Sequence, residues 1–250
     1  MKKIIIVAVC LIIAALSIYK ISGYLLEMLE SQNLNDSLTK EAVMKLPQDA
    51  ESNQSEQESV EQLVKKNHGY LLTSLAEKNQ ISRTYVMEYV KEHAMEKVAQ
   101  GIYITDDVWP DELFILQTKN PTVIFSGETA LYLHGLIDRE YTEVCITVPN
   151  GYNATRLKSA NVRVKYVTKE IHGMGVCSVP SISGNTVRAY DQERCICELI
   201  KDRKKYEVQN FQTAVKEYMA GKGKNLSRLV EYAEKLKIRD EVMKYVEVLV

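Results

Sequence analysis

Ser82-Arg83-Thr84-Tyr85-Val86-Met87-Glu88-Tyr89-Val90 decides how the first half of this chain is read. Serine is favoured just before a helix because its hydroxyl accepts a backbone N–H of the first turn. Behind it, Tyr85, Val86, Tyr89 and Val90 recur at the three- and four-residue intervals of one apolar helix face. Upstream, Val60, Leu63 and Val64 give a helix that stops at Asn67-His68-Gly69. After the short apolar Tyr70-Leu71-Leu72, Thr73 is read as the cap of a brief helix through Lys78, and Asn79-Gln80-Ile81 as a turn. Downstream, Val98 and Gly101-Ile102-Tyr103-Ile104 read as two strands about a Gln100-Gly101 turn. Helix, short helix, capped helix and two-stranded hairpin, over residues 58–105, is the order of a winged helix-turn-helix.

In that fold the helix opening at Ser82 enters the major groove of double-stranded DNA, with its first side chains toward base edges. Arg83, Thr84 and Tyr85 occupy those positions, Ser82 and the first-turn amides suit phosphate, and Lys91 and Lys97 are candidate backbone contacts. The competing reading is a solvated face of a protein-interaction module, to which Glu88 and Glu92 on the same helix lend weight.

Bulk charge does not choose between them. Lys and Arg number 32 against 33 Asp and Glu, a net charge of -1, so nucleic-acid binding must rest on local patches. The chain is 46% hydrophobic, enough to bury a real core. Its cysteines, Cys10, Cys145, Cys177, Cys195 and Cys197, lack paired zinc spacing. Cys195 and Cys197 fall about 200° apart around a helix. Buried reduced thiols are expected, and no metal or cofactor.

The first 26 residues read as an apolar segment. Met1-Lys2-Lys3 precedes an apolar run from Ile4 to Tyr19, about 24 Å as a helix and short for a bilayer core of about 30 Å. Continuing through Ile21, Tyr24, Leu25 and Leu26 gives a workable membrane anchor over residues 4–26, with Lys20 able to snorkel. A signal peptide competes, since two lysines precede an apolar core and small residues follow. The positive-inside rule then puts everything after the span outside the cell, away from DNA. A start at Met28 or Met44 would remove that conflict and leave a soluble cytoplasmic protein. Residues 27–57 read as a polar, acidic linker.

From 106 to 250 the pattern is α/β with a helical C-terminus, so the whole is expected to be α+β. Helices are expected at Asp111–Leu116 and Glu128–Leu133, and strands at Pro121–Phe125, Val144–Val148, Val162–Val167 and Thr186–Ala189. Four helices follow, over Gln192–Arg203, Phe211–Gly221, Leu226–Leu236 and Asp240–Leu249.

Four ordered segments of this half stand out: Ser126-Gly127-Glu128-Thr129-Ala130-Leu131-Tyr132-Leu133-His134-Gly135-Leu136, Val148-Pro149-Asn150-Gly151, Tyr190-Asp191-Gln192-Glu193-Arg194-Cys195-Ile196-Cys197 and Leu229-Val230-Glu231-Tyr232-Ala233. Together they resemble the AbiEi antitoxins of bacterial type IV toxin–antitoxin and phage-defence (abortive infection) systems. Val98-Ala99-Gln100-Gly101-Ile102-Tyr103 at the wing extends the similarity, which runs from about His68 to the end. The resemblance implies a transcriptional repressor that binds an inverted repeat in its own operon promoter. It also implies a C-terminal domain opposing a cognate nucleotidyltransferase-like toxin without catalysis. Ser126, Gly127, Thr129, His134, Asp191 and Arg194 are the motif positions of that domain. Cys195 and Glu198 depart from the family pattern, which has Thr and Asp there, and the apolar N-terminus lies outside it.

The turn at Gly127 followed by a strand also looks like a nucleotidyltransferase core. Such enzymes need two or three strand carboxylates to hold paired metal ions. Glu143-Val144-Cys145 offers one, and a thiol is a poor ligand for magnesium, so the fold is expected to be a degenerate relative without turnover. His134 is read as a capping or core histidine. Asp191 and Arg194, three apart, are read as an ion pair at a helix start. Lys201 to Lys205 with Lys222 and Lys224 are read as a basic surface or as solvated helix ends. The alternative for the whole chain is a membrane-tethered winged-helix interaction or sensor protein that does not read DNA.

Overall fold

The first described helix ends where its backbone must turn left-handed. The computed structural model describes residues 59–158 and 161–249; the anchor (1–26) and linker (27–57) lie outside them. Helix α1 is described over 59–66. It stops as His68 (φ 51°) and Gly69 (φ 84°) swing into the left-handed region and the Gly69 N–H bonds back to Val64 O at 2.9 Å. A Cβ on Gly69 would lie 2.5 Å from Val108 Cγ2, so this turn has no room for a side chain.

The turn delivers strand β1 (Tyr70–Leu72), followed by α2 (Thr73–Lys78), α3 (Arg83–Glu92), β2 (Glu96–Ala99) and β3 (Ile102–Ile104). The strands form an antiparallel sheet in the order β1-β3-β2. The hairpin therefore gains a third strand from the Tyr70 segment. Ser82 caps α3, its Oγ accepting the Tyr85 N–H at 3.2 Å. Thr73 does not cap α2: Leu72 holds that position, and the Thr73 hydroxyl faces the Gly101 carbonyl at 3.4 Å instead. The residue is drawn off by the β1–β3 ladder, which leaves Thr73 inside the first turn. Val60, Val64, Leu71, Ala76, Ile81, Val86, Tyr89, Val90, Met95 and Tyr103 make the core of this part.

Helix α4 (Glu112–Lys119) leads into a five-stranded mixed sheet of order β6-β5-β4-β8-β7. Its strands are β4 (Ile124–Phe125), β5 (Val144–Pro149), β6 (Val162–Val167), β7 (Val176–Pro180) and β8 (Thr186–Tyr190). Strand β4 is shorter than expected. Residues 121 and 122 are in a turn, and the Val123 carbonyl accepts from Gln117 Nε2 at 3.0 Å, so neither joins the ladder. Strand β7 is not expected from sequence; it is an edge strand in which Val179 alone is buried, so no apolar alternation marks it.

Helix α5 (Gly127–Leu133) and the short α6 (Thr155–Lys158) and α7 (Lys169–Gly173) connect the strands. The C-terminal helices are α8 (Gln192–Lys201), α9 (Val208–Ala220), α10 (Leu226–Lys235) and α11 (Arg239–Leu249). Helix α8 is buried along residues 193 to 200 and contacts α5, α9, α10 and α11. The chain is thus a mixed α+β protein. Among the described residues no helix is long and apolar enough to cross a membrane.

A polar junction ties the two sheets together. Asp111 caps α4 through the Phe114 N–H and is 5% exposed; its carboxylate also accepts from Ser181 Oγ and from Asn185 Nδ2 at 2.9 Å. The Asp111 N–H donates to the Tyr70 hydroxyl at 2.6 Å, and that hydroxyl donates to the Trp109 carbonyl at 3.2 Å. The Tyr70 ring meets Phe114 of α4 edge-on at 5.1 Å. With every one of these buried polar groups paired, the burial costs little and the geometry is held firmly.

Candidate functional site

Helix α3 buries Val86, Tyr89 and Val90, and this fixes which side chains face outward. Ser82, Arg83, Thr84, Met87, Glu88 and Lys91 are exposed, and Tyr85 is half-buried against the core. Lys97 is exposed on β2, opposite Tyr103, whose hydroxyl reaches Met87 Sδ at 3.6 Å and so seats the hairpin against α3. Arg83, Lys91 and Lys97 have no carboxylate partner among the described residues. Glu88 and Glu92 on α3 and Glu96 on β2 are also exposed, so these two elements carry three exposed carboxylates beside the three cations and no net charge from them.

The second candidate region is the turn from β4 into α5. Gly127 has φ 54°, and a Cβ there would come within 3.2 Å of Cys145 Cβ. The neighbouring hydroxyls are committed to the sheet. The Cys145 N–H donates to Thr129 Oγ1, and the Thr147 hydroxyl to Ser126 Oγ, each at 2.9 Å and buried. Ser126 and Thr129 therefore fasten the turn to β5. A cleft of about 320 Å³ opens beside it, lined by Ser126, Gly127, Cys145, Arg163, Lys165 and Tyr206 among others. On adjacent parallel strands Cys145 stands opposite Arg163, which pairs with the half-exposed Glu143 at 2.8 Å. The strand positions facing this cleft thus carry a thiol and two cations rather than a carboxylate set. Asp202, also in its wall, is disfavoured as an anion by burial, but hydrogen bonds from Lys205 and Lys165 outweigh this and hold its carboxyl below the usual range.

His134 ends α5, and its Nε2 lies 2.7 Å from the Tyr190 carbonyl, which requires the proton on that nitrogen. It joins α5 to β8. The expected ion pair between Asp191 and Arg194 is not formed. Asp191 caps α8 by accepting the Arg194 backbone N–H at 2.9 Å, and its carboxylate also takes the Tyr232 hydroxyl at 3.1 Å. The Arg194 guanidinium runs the other way along the helix, to Glu198 Oε1 at 3.0 Å from Nε and 2.7 Å from Nη2, over the Tyr190 ring. The physical reason is that a cap uses the backbone of the third residue, leaving its side chain to the i+4 neighbour. That spacing, Arg194-x-x-x-Glu198, is present in the sequence.

A second recess, of about 290 Å³, lies between β6, α7, α8 and the end of α10. It shares Lys165 and Glu198 with the first and adds Arg194, Lys201, Lys235 and Lys237. Sequence reasoning missed it because its cations come from separate elements.

The thiols are set by burial. It pushes Cys195 well above the ordinary thiol range and Cys197 to about 12, while Cys145 is raised and half-buried Cys177 also rises. In a Cys10→Ser background at pH 8, iodoacetamide should modify Cys177 first. Cys145, in the cleft wall, should react more slowly, and Cys195 and Cys197 only on unfolding; mass-spectrometric mapping of early label on Cys195 or Cys197 would contradict this placement.

No family model and no curated protein matches the chain. Among solved structures it resembles the crystal structure of the RV2827C protein from Mycobacterium tuberculosis, with 10% identity over 70% of each chain and a TM-score of 0.47. A likeness that distant assigns neither family nor function.

Proposed function

We propose that residues 58–105 act as a winged helix-turn-helix that reads duplex DNA, and that residues 106–250 are a non-catalytic, degenerate nucleotidyltransferase-like body. The observation that carries this reading is the outer face of α3. Arg83, Thr84 and Lys91 stand exposed there, with Lys97 on the adjoining hairpin, and none of the three cations is drawn into an ion pair among the described residues. A helix presented this way offers Arg83 and Thr84, next to its N-terminus, to base edges. The body is read as non-catalytic because the strand positions at the Ser126–Gly127 cleft carry Cys145, Arg163 and Lys165 where two-metal chemistry calls for carboxylates.

With the resemblance to the AbiEi antitoxins, the function is a transcriptional repressor of its own operon and an antitoxin to a nucleotidyltransferase-like toxin encoded beside it. Such a protein works in the cytoplasm. The membrane anchor remains a separate expectation resting on residues 4–26.

Fluorescence anisotropy with the promoter's inverted repeat tests the DNA reading. Specific binding should exceed that to a scrambled duplex, and log K should fall linearly with log salt. Equal affinity for both duplexes would reject sequence reading. No binding to either by a folded protein would leave the protein-interaction reading, for which exposed Glu88 and Glu92 speak.

A further inference from the structure

We propose that the recess between β6, α7, α8 and the end of α10 binds a small phosphomonoester. This goes beyond DNA reading and does not depend on it. Five cations line the recess, Lys165, Arg194, Lys201, Lys235 and Lys237, against one carboxylate, Glu198. Glu198 is itself claimed by Arg194 at 2.7 Å and by Lys165 at 3.3 Å, and Lys165 pairs with Asp202 outside the recess at 2.9 Å, so Lys201 and Lys237 are the cations left without a carboxylate. Lys201 Nζ reaches only the Leu236 carbonyl, at 3.2 Å, and Lys235 is held by exposed Glu231 at 2.6 Å. Lys237 has no ion-pair partner among the described residues.

Arg194 gives the second observation. It is 1% exposed, and two of its three guanidinium nitrogens are satisfied by Glu198. Its Nη1 has no hydrogen-bond partner among the described residues. Buried charged donors are nearly always paired, so an unpaired one in the wall of a cationic recess marks a place for an acceptor.

Several convergent donors, one of them a guanidinium, suit a doubly charged, multi-oxygen anion better than a lone carboxylate. The volume, about 290 Å³, is small for a ligand pocket and takes a phosphate with a modest body. Val167, Ile171 and Leu236 supply apolar wall for that body. A nucleic-acid backbone, which presents a row of phosphates, matches an open groove rather than this single recess.

Calorimetric titration of the full chain with inorganic phosphate, adenosine 5′-monophosphate and a 5′-hydroxyl oligonucleotide tests the site. Adenosine 5′-monophosphate should bind saturably and more tightly than phosphate, and its addition should shift the Arg194 side-chain ¹⁵N resonances. Lys201→Gln/Lys237→Gln, both exposed in the fold, should weaken it by about tenfold or more. A charge-matched control, Lys204→Gln/Lys222→Gln, should leave it unchanged. Absence of saturable binding by phosphate and the monophosphate, equal weakening by the control pair, an unmoved Arg194 signal or preference for the oligonucleotide would each overturn the proposal.

Discussion

Glu198→Leu should lower unfolding stability by about 3–5 kcal/mol, the cost of stranding a buried charge. The charge stranded is Arg194, whose side chain is 1% exposed and whose carboxylate partner is Glu198. What remains to it is the Tyr190 ring, 4.8 Å from the guanidinium carbon, a weaker substitute for a hydrogen-bonded carboxylate. The reverse change, Arg194→Met, should cost less, because Glu198 keeps Lys165 at 3.3 Å. In the double variant neither buried charge is left alone, and Lys165 retains Asp202 at 2.9 Å. It should therefore be more stable than Glu198→Leu by itself. Urea unfolding of the four proteins measures the cycle. In phosphate-free buffer, a Glu198→Leu cost under about 1 kcal/mol would mean that Arg194 is solvated once its carboxylate is gone, and would overturn this expectation.

Arg83→Ala should reduce affinity for the operator by about 1–3 kcal/mol while relaxing preference for one base pair of the half-site. The expectation follows from place: Arg83 is the first residue of α3, directly after the Ser82 cap, and it is exposed. Because no core contact is lost, its unfolding midpoint should hardly move, within about 0.5 kcal/mol. Lys91→Ala and Lys97→Ala should act differently, weakening operator and scrambled duplex alike and reducing the salt slope by about 1 each. Should Arg83→Ala weaken both duplexes equally, its contact is with phosphate and not with a base edge.

The elements legible in the sequence are those whose burial is one-sided. The apolar face of α3, the run Val144–Val148 and the four C-terminal helices announced themselves by period, and Ser82 by its cap chemistry. Strand β7 did not, because an edge strand with little buried surface carries no alternation. The sequence does not separate a cap from a first-turn position at Thr73, because both use the same residue types and the deciding ladder to β3 is a long-range contact. Ser126 and Thr129 were legible as a motif but not as fasteners of a turn, since Thr147 and the Cys145 amide meet them only across the sheet. For Arg194 the sequence offers both Asp191 and Glu198 at helical spacing, and only the capping role of Asp191 sends the guanidinium to Glu198. The cationic recess was illegible for a different reason: Lys165, Lys201 and Lys237 are far apart in sequence, and nothing local predicts their convergence.

The Tyr70–Asp111 bond has a geometric corollary. If residues 58–105 read DNA as proposed, they do so tied to their neighbour by the Tyr70 hydroxyl, which accepts the Asp111 backbone N–H. Two copies seated on the arms of a palindrome would hold their larger lobes at bearings set by the phase of the double helix. The spacer between the arms would then serve as a protractor, and adding about half a turn of duplex would point those lobes to opposite sides.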